Sequence, residues 1–141
     1  MPNMLATYIQ LQIVTPDREI AEEEVDEVSI PGKEGYLGVL PGHAPLLTEL
    51  QPGTLEYRQD GNSRYVAIHW GLAEILADRV IVLAEIAERA EEIDIERAET
   101  KRKRVEEYLK SHPASDPEIE KARDDLRRAI CRLETARHAQ P

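Results

Sequence analysis

Every glycine in this 141-residue chain lies before residue 72: Gly32, Gly35, Gly38, Gly42, Gly53, Gly61 and Gly71. Six of the nine prolines fall in the same stretch. Glycine and proline serve tight turns and weaken helix interiors. The chain therefore divides into a turn-rich part and a glycine-free part dense in Ala, Glu, Arg and Lys, which favour helix. Charge divides the same way. Residues 1–86 carry 5 basic and 14 acidic side chains, whereas residues 87–141 carry 13 and 14. The junction falls near residues 86–93, giving expected domains of 1–87 and 88–141.

The first part reads as short strands. Ile9, Leu11 and Ile13 alternate with Tyr8, Gln10 and Gln12, the period of a half-buried strand. Val28 and Ile30 alternate similarly before Pro31-Gly32. Leu55–Arg58 and Tyr65–Ile68 flank Asp60-Gly61, a hairpin signal, and Val80–Leu83 reads as a buried strand. Short strands at a spacing of roughly 8–12 residues argue a sandwich or barrel. No helical pattern interrupts them, which argues against a dinucleotide-binding α/β fold. The second part reads as an antiparallel two-helix hairpin. Asp94 is a good N-cap for a first helix ending near Lys110, and Ser115 with Glu118 resembles a capping box for a second ending near His138. Ile119, Ala122, Leu126, Ala129, Leu133 and Ala136 form a heptad seam, answered by Ile95, Ala98, Val105 and Leu109, with Arg102 interrupting. Half of the second seam is alanine. At roughly 25 cal/mol per Å² such a stripe buries little apolar area. The hairpin is therefore expected to pack shallowly and to open at a cost of a few kcal/mol; permanent docking is the alternative.

Composition excludes several function classes. With 18 basic and 28 acidic residues the net charge is −10, unsuited to nucleic acid or to an anionic membrane surface. The single cysteine, Cys131, excludes an internal disulfide or a cysteine-based metal cluster and suits a reducing compartment. The start of the chain lacks the basic-then-apolar pattern of a secretory leader, and no apolar run approaches a membrane span. His43, His69, His112 and His138 form no metal-binding spacing, and no glycine-rich phosphate loop or nucleophile elbow occurs. Neighbouring arginines lower a thiol's pKa, but for Cys131 a plain helix cysteine is the simpler reading. Glu22-Glu23-Glu24 with Asp26 and Glu27 reads as a solvated edge rather than a cation site. No grouped nucleophile, base and orienting acid is present, so the chain is not expected to be an enzyme. One constellation stands out. Arg128 and Arg132 are four apart on one helix face, and an antiparallel hairpin brings them beside Asp94 and Arg97. Three converging guanidinium groups suit a triphosphate, with Asp94 accepting from a base or sugar. Surface ion pairs and a helix cap are the plainer alternative.

The segment Leu37-Gly38-Val39-Leu40-Pro41-Gly42-His43-Ala44-Pro45-Leu46-Leu47-Thr48, with Ile13-Val14-Thr15-Pro16 and Val80–Glu85, resembles the epsilon subunit of F-type ATP synthases along essentially the whole chain. The resemblance implies an N-terminal ten-stranded β-sandwich followed by a C-terminal antiparallel helical hairpin. It implies a non-catalytic rotor subunit in the central stalk of a proton-translocating ATP synthase. The sandwich would join the gamma subunit to the c-ring, peripheral to the cytoplasmic face of a bacterial plasma membrane and reaching it only through partners. The hairpin would extend to the alpha/beta catalytic head and inhibit ATP hydrolysis, with Lys101-Arg102-Lys103-Arg104 meeting acidic surfaces there; a solvated helix face is the alternative for that run. Some members bind ATP in the folded hairpin, through a pattern similar to Ile93-Asp94-x-x-Arg97-Ala98. This implies Glu88, Asp94, Arg97, Arg128 and Arg132 as an ATP-sensing site, ATP being a regulatory ligand rather than a catalytic cofactor, with no metal. Tyr36 stands where an acidic residue is frequent, and with Gly42 and His43 it is the expected partner interface. His69-Trp70-Gly71 replaces a usual Ser-Gly-Gly turn; Trp70 is expected either to fill a sandwich void or to alter a partner surface.

Overall fold

A computed structural model describes residues 7–139. Eight strands come first: β1 (Ile9–Val14), β2 (Glu19–Val25), β3 (Glu27–Gly32), β4 (Gly35–Val39), β5 (Leu46–Leu50), β6 (Gly53–Gln59), β7 (Asn62–Ile75) and β8 (Arg79–Arg89). A 3-10 turn at Ala90–Glu92 leads to helices α1 (Ile95–Ser111) and α2 (Ile119–Arg137). The architecture is the expected sandwich and hairpin, with eight strands where ten were expected. The difference lies in β7 and β8, of 14 and 11 residues, which run unbroken past several partners.

The strands pair in the order β2-β1-β8-β7-β5-β3-β4, with β6 beside β3 and β7. All pairs are antiparallel except β1 with β8. β5 and β6 lie end to end along β7, Leu50 opposite Gly71 and Gly53 opposite Ile68. Pro52 separates them, since proline cannot donate to a ladder. Opposite that break β7 bends. Trp70 has φ +63° and Gly71 φ +149°. Gly71 has no substitute there, because a Cβ would meet the Leu83 carbonyl oxygen at 2.2 Å. Alternation then does its expected work. Leu11, Ile13, Ile30, Leu55, Ile68 and Val82 are fully buried between the layers. With no Phe in the chain, this core is aliphatic, and Tyr57 is its one aromatic.

The Asp94 carboxylate caps α1 as expected, accepting from the Arg97 backbone N–H at 3.0 Å. The expected Ser115–Glu118 box does not form. Asp116 instead accepts the Glu118 N–H at 2.8 Å and the Tyr108 hydroxyl at 3.1 Å, and α2 starts at Ile119 with no side-chain cap. A short Asp side chain two residues ahead of the donor closes this turn locally. Most of the expected seam is covered: Ala98 and Val105 on α1 and Ile119, Ala122, Ala129 and Ala136 on α2 are buried, Leu109, Leu126 and Leu133 are partly so, and Ile95, at the start of α1, is exposed instead. Arg102 leaves the seam to bond Glu99 and, at 3.0 Å, Glu106.

Gly71→Ala should destabilise the chain by about 3 kcal/mol in chemical denaturation, through both backbone strain and collision. Gly35→Ala, at φ +128° but with open space around it, should cost clearly less. Equal costs would contradict the close approach of β7 and β8.

Candidate functional site

The antiparallel hairpin opens a cleft of about 590 Å³ between the first half of α1 and the second half of α2. Asp94, Arg97, Arg128 and Arg132 all line it, so four of the five predicted nucleotide-site residues converge. The fifth, Glu88 on β8, stands behind Arg132 and receives its guanidinium in a two-point clasp, Nε to Oε1 at 2.8 Å and Nη2 to Oε2 at 3.1 Å. Lys101 and Arg104 line the same wall. They were legible in the sequence, since 97, 101 and 104 share one helical face, but were assigned to a different role. Of the 97–104 basic residues, Arg102 points away into its pairs with Glu99 and Glu106.

The cleft is cationic in a strongly acidic chain. Arg132 is held by Glu88, and Lys101 faces Asp125 at 3.8 Å, which also takes Lys121 at 3.4 Å. Arg97, Arg104 and Arg128 form no ion pair among the described residues. Three such forks beside the Asp94 carboxylate can hold a polyanion bidentately while the acid accepts from a neutral donor. The volume matches small-molecule sites generally, of about 300–1,000 Å³.

The cleft sits on a joint to the sandwich that the sequence did not foretell. α1 packs principally on α2, and α2 lies along β7, running antiparallel to it. Near its start, Asp124 accepts from the Trp70 indole N–H at 2.9 Å and lies 3.3 Å from His69 Nε2. Farther along, the Cys131 thiol donates to the carbonyls of Gly53 (3.3 Å) and Ile68 (3.7 Å), and the Thr135 and Thr54 hydroxyls share a 2.7 Å hydrogen bond. At its end His138 stacks on Tyr65, ring centroids 4.0 Å apart. Trp70 therefore fills no sandwich void. It is half-buried against α2, with the Arg127 guanidinium 5.9 Å from its ring. Its left-handed backbone costs a bulky residue about 1–3 kcal/mol, held in place by these contacts.

Titration follows the packing. Burial pushes the Cys131 thiol up to about 11, in keeping with a plain helix cysteine rather than one activated by neighbouring arginines. Burial also raises the Asp124 carboxyl, but hydrogen bonds from Trp70 and His69 outweigh it and leave the group lowered. Burial likewise raises Glu92, and the guanidinium groups of Arg18 (2.9 Å) and Arg89 (2.8 Å) overcome it. That last cluster links the 3-10 turn to β8 and to Arg18 of the sandwich just ahead of the hairpin.

The expected partner residues are spread apart. The Tyr36 ring is exposed, and its hydroxyl accepts the Thr54 N–H at 2.9 Å, beside the β5–β6 break. Gly42 (φ +90°) and His43 lie in the loop at the other end of β4, where Gly42 N–H donates to Ala77 and His43 Nδ1 lies 2.6 Å from the Ala44 carbonyl oxygen. Glu22 and Glu24 are exposed on the edge strand β2, and Glu23 accepts from Gln59. A further surface went unread in the sequence. On the outer face, Leu83 at 54% exposure stands beside Leu72 at 44% and Val14, with Ile81 and Leu47 in the next row among Gln12 and Glu74.

Comparison with known proteins matches two adjoining family models, the ATP synthase delta/epsilon chain beta-sandwich domain over residues 8–90 and the delta/epsilon chain long alpha-helix domain over residues 91–137. An ATP synthase epsilon chain of Solibacter usitatus is 48% identical over 128 residues, covering 91% of this chain and 95% of that one. One from Geotalea uraniireducens is 43% identical over 135 residues, covering 96% and 98%. Among solved structures, a chain in the Euglena gracilis mitochondrial ATP synthase OSCP/F1/c-ring assembly superposes with a TM-score of 0.81 at 27% identity, covering 94% of this chain and 82% of that chain. A chain of the Tetrahymena thermophila central stalk/c-ring shares the fold, with a TM-score of 0.57 at 13% identity over 96% and 98% of the two chains.

The stability of the folded chain should fall as pH rises past the ordinary thiol value of 9.0 toward 11. The native thiol resists ionising while the unfolded one does not, so its contribution is intact below pH 9 and lost above. Relative to Cys131→Ala, the loss should total about 2–3 kcal/mol by chemical denaturation. Parallel pH profiles for the two proteins would contradict a buried thiol.

Proposed function

The chain belongs to the ATP synthase delta/epsilon chain family, and from that premise we propose that it is a non-catalytic rotor subunit of a proton-translocating ATP synthase, joining gamma to the c-ring and restraining ATP hydrolysis through its helices. The observation that carries this reading is the division of labour within the chain. The sandwich is a rigid body with a full aliphatic core, whereas the hairpin meets it along one helix through small residues and polar contacts. A stiff platform suits torque transmission, and a lightly held appendage suits a state change.

The likeness to a chain of the Euglena OSCP/F1/c-ring assembly supports the rotor setting. The exposed apolar face of Leu72, Leu83 and Ile81 supports a protein partner, since apolar side chains gathered on a sheet face mark association sites; gamma is the partner assigned to it. Tyr36 at one end of β4 and Gly42-His43 at the other offer contacts toward the ring. When α1 and α2 part, the basic wall of α1, Arg97, Lys101 and Arg104, loses its neighbours across the cleft and can meet acidic surfaces of the alpha/beta head. The subunit works at the cytoplasmic face of a bacterial plasma membrane, which it reaches through these partners. No helix among the described residues is long and apolar enough to cross a membrane.

A second reading, compatible with the first, is ATP sensing. The unpaired guanidinium groups of Arg97, Arg104 and Arg128 favour it, as does a cleft of nucleotide size. The cleft exists only while α1 and α2 lie side by side, so a nucleotide bound there stabilises the compact state and shifts the equilibrium away from inhibition.

Removal of residues 94–141 should leave assembly with gamma intact and raise ATP hydrolysis by the complex severalfold; unchanged hydrolysis would remove the inhibitory role. Millimolar ATP should slow modification of Cys131 by a thiol reagent, in proportion to occupancy of the compact state. Arg128→Ala should abolish that protection. Identical modification rates with and without ATP in the unsubstituted chain would reject sensing.

A further inference from the structure

We propose that Asp124, together with His69 and Trp70, is the latch that sets how often the hairpin leaves the sandwich, a role that rests on the release reading above. His69 is 5% exposed on β7, and its Nδ1 is buried with no hydrogen-bond partner. Its one polar partner among the described residues is the Asp124 carboxylate, reached through Nε2. A carboxylate carries no proton, so Nε2 supplies it. The same carboxylate holds the Trp70 indole N–H through its other oxygen. Arg127, one turn from Asp124 on the same helix, lies 5.9 Å from the centre of the Trp70 ring.

Three properties make this cluster a latch rather than ordinary packing. First, it joins residues from opposite sides of the joint, so it exists only while α2 is docked. Second, it is all-or-none. Withdrawal of Asp124 from a docked hairpin leaves the buried His69 donor unpaired, a costly state that undocking relieves by admitting water. Third, its sandwich half is strained. Trp70 sits at φ +63° where the bend of β7 asks for glycine, and Gly71 follows at φ +149°. The indole is held in that posture with its N–H aimed at α2. Among the described residues no other contact of the joint combines a buried unpaired group with backbone strain; the Thr54–Thr135 and Cys131 contacts lack both. Glu88, Arg128 and Arg132 line the small pocket on the other side of His69, Arg132 being taken by Glu88, so the hydrogen-bond partners of the Asp124 carboxylate among the described residues are His69 and Trp70.

Hydrogen exchange on the full chain tests the latch. In the unsubstituted protein, α2 amides around Ala129–Ala136 should exchange faster than those of β1, reporting release without global unfolding. Asp124→Ala should speed α2 exchange by about tenfold, the scale of one unpaired buried donor, and leave β1 and β8 amides unchanged. Trp70→Phe, which keeps a ring and deletes the N–H, should speed α2 exchange alone but add nothing in the Asp124→Ala background. Unchanged α2 exchange in Asp124→Ala, equal acceleration in α2 and β1, or full additivity of the two substitutions overturns the latch. If α2 exchanges no faster than β1 even in the unsubstituted chain, the hairpin does not leave and the release reading falls with it.

Discussion

The behaviour of this molecule depends on what holds α2 against β7. The apolar part of that joint is a cluster of four residues, three of them small: Ala67, Cys131 and Ala136 around Ile93. The remainder is polar: Asp124 with His69 and Trp70, Thr135 with Thr54, the Cys131 thiol on two carbonyls, and Arg132 on Glu88. Each polar contact trades against water when the surfaces part, so its net contribution is small even though leaving it half-made is expensive. A joint of this kind is firm when complete and cheap to exchange for solvent. An aliphatic joint of the same length would have fused the hairpin to the sandwich.

The joint and the cleft share parts. Arg132 closes the joint on Glu88 and also lines the cationic cleft, and Arg128 lies between the cleft and the pocket next to His69. A polyanion in the cleft therefore acts on the same helix that carries the latch. Glu92 is tied to Arg18 and Arg89, which joins the 3-10 turn to the sandwich just ahead of the Asp94 cap.

Much of this was legible from local signals. The alanine-rich seam, the Asp94 cap and the alternation of β1 each depend on neighbours within a few residues, and each appears in place. The converging arginines were legible because helix periodicity and an antiparallel turn together fix their relative position. The second face of α2 was not. Cys131 and Thr135 are four apart, yet they are too few and too mildly polar to announce a stripe, and Asp124 finds His69 only through tertiary packing 55 residues away. Sequence alone leaves Trp70 as either a core filler or a partner surface; the bend in β7 turns it outward, to α2 of the same chain. The strand count differed because nothing in the sequence says whether a strand that bends also breaks.

The central claim is a rigid sandwich with a releasable hairpin. The distance between labels at Asn62 on the β6–β7 turn and Lys110 at the end of α1, measured in the assembled ATP synthase, addresses it most directly. Two populations are predicted, a short distance matching the docked structure that dominates with ATP and a longer one that grows as nucleotide is removed. A single docked distance under every condition would contradict the account.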